Sequence, residues 1–187
     1  NDLLPQVIER DIACSFPKAE IAKMGELGFM GMMVKAENGG SEMDTLSYVL
    51  AMEEICKVDA SCGVIMSVNN SLVCYGLQAY GTEAQKQKYL KPLASGQQIG
   101  AFCLSEPEAG SDATSQTTTA EDKGDHYLVN GTKNWITNGN YSETCLVIAQ
   151  TNPELKHKGI NCLIIDKNTP GFVVGPKEDK MGIRASD

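Results

Sequence analysis

Apolar positions recur at helical spacing through the first half of the chain and gather into short strand-like runs in the second. Lys18 to Leu27 sets Ile21, Met24 and Leu27 on one face, with Gly28 as a stop. Asp44 is placed to cap a second helix whose apolar stripe is Leu46, Val49, Leu50 and Ile55. Ala60 to Tyr80 is mostly apolar around a polar Asn69-Asn70-Ser71 centre, which predicts a buried helix ending at Gly81. Thr82-Glu83-Ala84-Gln85 fits a capping box: the threonine hydroxyl accepts from the amide three residues on, and the glutamine side chain reaches back. The helix it opens is expected to end near Lys91, because a proline at 92 disfavours helical backbone in the residue before it.

Near Gly96 the period changes. Ile99 to Leu104 reads as a strand. His126 to Val129, then Asn130-Gly131, then Thr132 to Thr137 predicts a hairpin, since Asn-Gly tolerates the positive φ angles of a tight turn. Cys145 to Ala149, Ile160 to Ile165 and Phe172 to Val174 are further β-rich runs, and residues 152–158 read as a surface loop. The expected fold class is α+β: an N-terminal all-α domain over residues 1–98, then an antiparallel β-barrel-like domain over 99–187.

Composition narrows the function. The 187 residues carry 16 Lys+Arg against 24 Asp+Glu, a formal net charge of -8 divided evenly between the halves. With no basic face or tail, nucleic acid is not the expected partner. The seven cysteines are odd in number and show no C-x-x-C spacing, which reads as reduced, partly buried thiols, Cys56 and Cys162 among them. Two histidines, His126 and His157, without ligand spacing give no metal site. Three Asn-x-Ser/Thr triplets, at Asn69, Asn130 and Asn140, read as chance, with neither a signal peptide nor a long apolar span beside them. The first residue is not Met, which leaves room for a removed leader. No G-x-G-x-x-G follows a strand and no P-loop is present, so neither nucleotide-binding reading is supported.

Candidate chemistry lies in two segments. Cys103-Leu104-Ser105-Glu106-Pro107-Glu108-Ala109-Gly110-Ser111, followed by Asp112, is a strand end turning through small and acidic residues. Lys133-Asn134-Trp135-Ile136-Thr137-Asn138-Gly139 holds the only tryptophan. Read residue by residue, Trp135 fits a core aromatic, and Ser105 and Ser111 fit turn formers bonded to their own backbone. Glu106 and Glu108 fit solvated turn carboxylates rather than an acid–base pair. Asp112 fits a residue that closes the turn.

Together these segments resemble the acyl-CoA dehydrogenases, and the similarity runs through nearly the whole chain. Met24 to Gly31 looks like that family's early helix end. Asn38-Gly39-Gly40 looks like its glycine turn, with Asn38 where an aromatic is usual and Glu42 where a small residue is usual. Val64 to Leu72 and Lys177 to Arg184 are similar to the short-chain, butyryl-CoA branch. The resemblance implies an FAD-dependent oxidation of short-chain acyl-CoA to trans-2-enoyl-CoA, with electrons passed to electron transfer flavoprotein. It also implies a homotetramer, in a bacterial cytoplasm or the mitochondrial matrix, with no membrane partner.

By the same resemblance Phe102, Cys103, Leu104 and Ser105 line the flavin, and Gly110 and Ser111 let cofactor and substrate approach. Trp135 stacks beside the ring, with Ile136 and Thr137 next to it; Ser111, Val68 and Leu72 contact substrate. Many relatives have threonine where Ser105 stands. The family's catalytic glutamate and a third, helical domain would follow Asp187, so no catalytic base is expected within the chain. An oxidase or monooxygenase of the same fold, and a non-catalytic CoA-binding or assembly module, stand as alternatives.

Overall fold

The computed structural model describes residues 2–187. The first half is helical: α1 (Val7–Ile12), α2 (Lys18–Glu26), α3 (Thr45–Val58), α4 (Ala60–Tyr80) and α5 (residues 83–94). The second half carries β1 (Gly100–Cys103), β2 (Thr119–Asp122), β3 (Tyr127–Asn130), β4 (Thr144–Gln150) and β5 (Ile160–Asp166). The α+β class is as expected.

Local chemistry explains the helix starts. Asp44 opens α3 by accepting from the Ser47 amide at 2.7 Å. Asp59 opens α4 by accepting from the amides of Ser61 and Cys62, while its other oxygen takes the buried Arg10 guanidinium at 2.8 Å. The Thr82–Gln85 capping box forms as expected.

Three helical expectations fail. Leu27 is exposed, as are Leu46, Val49 and Leu50; of the expected α3 stripe only Ile55 is buried, together with Tyr48. The periodicity of an apolar helix does not state locally which face meets the core, and here Tyr48 and Ile55 join the cluster that holds Cys62, Ile65 and Met66 of α4. The last helix passes Lys91 and runs through Pro92 to Ala94. Its preceding turn, Lys86–Leu90, is a π-helix in which the Lys91 amide reaches back to the Lys86 carbonyl, and that wide turn accommodates the proline ring. The expected lack of a long apolar span also fails. By length and composition α4 could cross a membrane, but 56% of its apolar window is buried inside the protein, as in a core helix.

Helix α4 widens into a π segment at Val68–Cys74, which turns Asn69 and Asn70 inward. Asn70 donates to the Phe29 and Met66 carbonyls and accepts from the Met32 amide. Asn69 donates to the carbonyls of Met30 and Leu93 at 2.8 and 3.1 Å. The buried Asn69 is thereby excluded as a glycosylation acceptor in the folded chain. Gly25 and Gly96 let α2 pass against the end of α5: a Cβ at 25 would lie 2.8 Å from the Gly96 Cα, and Gly96 itself has φ +73.

The sheet is mixed and open, rather than purely antiparallel and closed. Strand β4 is its centre: β5 pairs antiparallel along its whole length, β1 pairs parallel with Thr144 to Val147, and β2 touches it in parallel at Gln150. The hairpin also differs from expectation. Strand β3 pairs back onto β2, and Asn130-Gly131 ends it instead of turning it. Residues 132–137 form no strand, because the chain at Gly131 lies directly over Thr118 and Lys133 is drawn into the turn after β1. Phe172 to Val174 is likewise not a strand, although Phe172 packs on the sheet's apolar cluster. The 152–158 segment is exposed, as expected.

Helices and sheet are tied at several points. Phe16 stacks on Tyr141 with centroids 3.9 Å apart. Near the end of the chain, Lys177 donates to the Cys14 carbonyl and the Arg184 amide donates to Asp11, both at 2.8 Å.

Candidate functional site

Strand β1 alternates as a strand should. Phe102 packs towards the helical cluster around Val73 and Leu146, and Cys103 packs into the sheet cluster with Cys145 and Val147. Its hydrogen bond with Cys145 and its burial both push the Cys103 thiol pKa up, so it is no nucleophile. All seven cysteines are free; Cys56 and Cys162 are exposed rather than partly buried. His126 faces Asp125 on the β2–β3 turn.

Past β1, the Glu106 amide donates to the Ala109 carbonyl at 3.0 Å, and the Ala109 amide returns a bond at 3.2 Å, closing a tight turn around Pro107 and Glu108. Asp112 closes the next one, accepting from the hydroxyls of Thr114 and Ser115 at 2.7 and 2.5 Å. Glu108 is exposed, as expected, but Glu106 is not the solvated carboxylate that its neighbours suggest. It is 4% exposed. Its carboxylate accepts from the amides of Thr117 and Thr118 at 2.5 and 3.0 Å, from the Thr117 hydroxyl at 2.9 Å, and from Lys133 Nζ at 2.8 Å. Burial pushes its pKa up, but the bonds from Lys133, Thr118 and Thr117 together outweigh burial and bring it down to about 2. Lys133 spends its other two donors on the Leu104 carbonyl at 3.0 Å and Gln116 Oε1 at 3.1 Å. Nothing local marks Lys133 for burial; the signal is only its place two residues before Trp135.

The Trp135 loop runs beside β1 and is pinned at both ends. The Asn134 amide donates to the Ser105 carbonyl at 2.8 Å, and the buried Asn138 side chain donates to the Gly100 carbonyl at 3.0 Å. Between those pins, Ile136 packs onto the sheet cluster, Thr137 is half-buried, and the Trp135 indole stands outside. Trp135 is therefore not a core aromatic: it is 68% exposed and its backbone is left-handed, with φ +61. A bulky side chain held in that region costs on the order of 1–3 kcal/mol, which only over-determined surroundings sustain.

The loop that carries Trp135, Ile136 and Thr137 thus runs along β1, bonded through Asn134 to Ser105 at the end of the strand and through Asn138 to Gly100 at its start. Gly110 and Ser111 are exposed on the turn that follows, and a side chain at 110 would meet open space, so no contact within the chain requires glycine there. Among the described residues, neither the Ser105 nor the Ser111 hydroxyl has a partner, so neither is spent on its own turn. Val68 and Leu72 sit apart, on the π segment of α4; Val68 packs on the cluster that Phe102 joins, and Leu72 is partly exposed. Among the described residues no group of acidic, histidine or cysteine side chains could hold a metal.

Two family models match consecutive stretches: "Acyl-CoA dehydrogenase, N-terminal domain" over residues 1–97, and "Acyl-CoA dehydrogenase, middle domain" over residues 101–187. The chain belongs to the acyl-CoA dehydrogenase family. It is 48% identical to the mitochondrial short-chain specific acyl-CoA dehydrogenase of Bos taurus, covering all of this chain and 45% of that one. Butyryl-CoA dehydrogenase from Megasphaera elsdenii matches the whole chain at 42% identity and a TM-score of 0.95, over 50% of its own length. Glutaryl-CoA dehydrogenase from Mycobacterium smegmatis, solved in complex with FADH2, matches 97% of the chain at 35% identity and a TM-score of 0.91, over 46% of its length. The chain spans about half the length of these acyl-CoA dehydrogenases.

Proposed function

We propose that the whole protein is an FAD-dependent dehydrogenase of short-chain acyl-CoA thioesters, forming trans-2-enoyl-CoA, and that residues 99–187 hold the flavin against a helical unit over residues 1–98. The observation that carries this reading is the exposed Trp135. A large aromatic ring is kept out of the core on strained backbone, on a loop whose preceding residue is bonded to the Ser105 carbonyl, and that is a surface fitted to a flat partner. When bound, FAD supplies the two-electron acceptor.

The roles of this chain follow from residue type. The Ser105 and Thr137 hydroxyls and nearby backbone amides offer fixed dipoles to the polar edge of the flavin, with no mobile charge required. Trp135 stacks beside the ring and excludes water, with Ile136 beneath it. Phe102, Cys103 and Leu104 form the strand end that carries Ser105; the first two act through backbone, since their side chains point into the protein. Gly110 and Ser111 allow close approach of FAD and thioester. Val68 and Leu72 line the acyl end. Abstraction of the α proton needs a closely placed base, which this reading assigns to the half of the enzyme outside the chain. Electron transfer flavoprotein as acceptor and a homotetramer belong to the same reading, and a bacterial cytoplasmic or mitochondrial matrix setting is in keeping with relatives from both bacteria and mitochondria.

The test is the visible spectrum of the purified full-length protein. Added butyryl-CoA is expected to bleach the band at about 450 nm, where oxidised flavin absorbs. A colourless protein, or a band untouched by any short-chain acyl-CoA, would refute the reading.

A further inference from the structure

Glu106 and Lys133 touch none of the side chains assigned to FAD above, yet they are the most deeply buried ion pair of the β half. Replacing such a pair by apolar residues is often neutral for stability, so its presence invites a role in fixing geometry. The pair joins three segments that are distant in sequence: the β1 end through Leu104, the strand start through Gln116, Thr117 and Thr118, and the Trp135 loop through Lys133 itself. The next residue after Lys133 makes the Asn134–Ser105 bond, and the one after that is the left-handed Trp135. The two residues before the proposed stacking residue are thus both tied to the β1 end, Lys133 through the Leu104 carbonyl and Asn134 through the Ser105 carbonyl.

We propose that Lys133, held by Glu106, is a positioning residue for the flavin cradle, setting the Trp135 loop in register with the Ser105 strand end. The inference rests on the flavin reading of the preceding subsection. A clamp that served stability alone would be replaceable by any well-packed uncharged pair. A clamp that sets register would not be, because only the lysine also reaches the Leu104 carbonyl and Gln116.

Three full-length variants separate these roles: Lys133→Met, Glu106→Gln and the double variant. Both singles leave a buried charge unpaired and are expected to lower the thermal midpoint of the apoprotein. The double variant leaves no charge unpaired and is expected to regain at least half of the lost midpoint, so it carries the test even where a single variant fails to fold. FAD affinity, from titration of the apoprotein, is expected to stay at least about tenfold weaker than the parent's in the double variant, with an altered flavin band shape. Recovery of FAD affinity in step with the thermal midpoint would overturn the proposal, as would parental affinity in Lys133→Met. A parent protein that takes up no flavin would sink the flavin reading itself, and the inference with it.

Discussion

The Asn69 side-chain oxygen accepts the Gly100 amide at 2.9 Å, so one buried side chain on a helix caps the first residue of the sheet. The same side chain holds the Met30 and Leu93 carbonyls. Three helical segments and β1 therefore meet at one amide group. Asn69→Ala strands the Met30 carbonyl and the Gly100 amide, while the Leu93 carbonyl keeps the Gly96 amide as a donor. Since an unsatisfied buried group costs about 1–3 kcal/mol, the expected loss is about 2 kcal/mol or more, read as a shift in the urea midpoint with unchanged slope.

Trp135→Ala removes a side chain that the fold does not use. Stability is expected to change by no more than about 0.5 kcal/mol, while on the proposed flavin reading the full-length protein is expected to lose most of its FAD binding. Urea unfolding paired with the flavin absorbance of the same preparation checks both halves. A large loss of stability would place the indole back in the core.

Glu106 gives the acid limb of stability a defined window. Its carboxyl pKa falls from 4.5 to about 2 on folding, with burial opposing the fall and the bonds from Lys133, Thr118 and Thr117 driving it. A lowered pKa stabilises the folded form above the unfolded value, and that contribution drains away as pH drops from 4.5 towards 2. Unfolding free energies of the parent are expected to decline across that window, and those of Glu106→Gln to decline less steeply there.

Alanine at Gly25 improves helix propensity but drives a Cβ to 2.8 Å from the Gly96 Cα and 3.0 Å from the Ser95 carbonyl oxygen. Backbone must move, at an expected cost of about 1–3 kcal/mol, visible as a lower thermal midpoint. A rise in the midpoint would mean that α2 slides freely.

Native alkylation sorts the thiols. Cys56 and Cys162 are exposed and are expected to react first; Cys62, Cys74, Cys103 and Cys145 are buried and are expected to react only after unfolding. Burial pushes the Cys74 pKa up to about 12, which slows it further. Peptide mass mapping after timed labelling gives the order.

Much of the helical half was legible because its signals are local. Asp44 with Ser47, and Thr82 with Gln85, lie three residues apart and need no knowledge of the fold. What escaped depends on partners far along the chain. Glu106 reads as a solvated turn residue because its partners, Thr117 and Lys133, lie 11 and 27 positions away. The apolar positions of α3 are visible in sequence, but which of them are buried depends on packing against residues such as Met24, Ile65 and Met66 far along the chain. Asn130-Gly131 carries a turn signal that is genuine as chemistry, yet β3 found a better partner upstream. The proposed flavin role of the Trp135 loop was legible only through resemblance: composition alone makes Trp135 a core residue, and the structure puts it outside.

The parallel pairing of Gly100 with Thr144 has a consequence for biosynthesis. The first strand leaves the ribosome with its neighbour still unmade, and it must wait with open backbone donors and acceptors until the central strand arrives. Such non-local closure slows folding and leaves a sticky intermediate, so the nascent sheet is where a chaperone has most to protect.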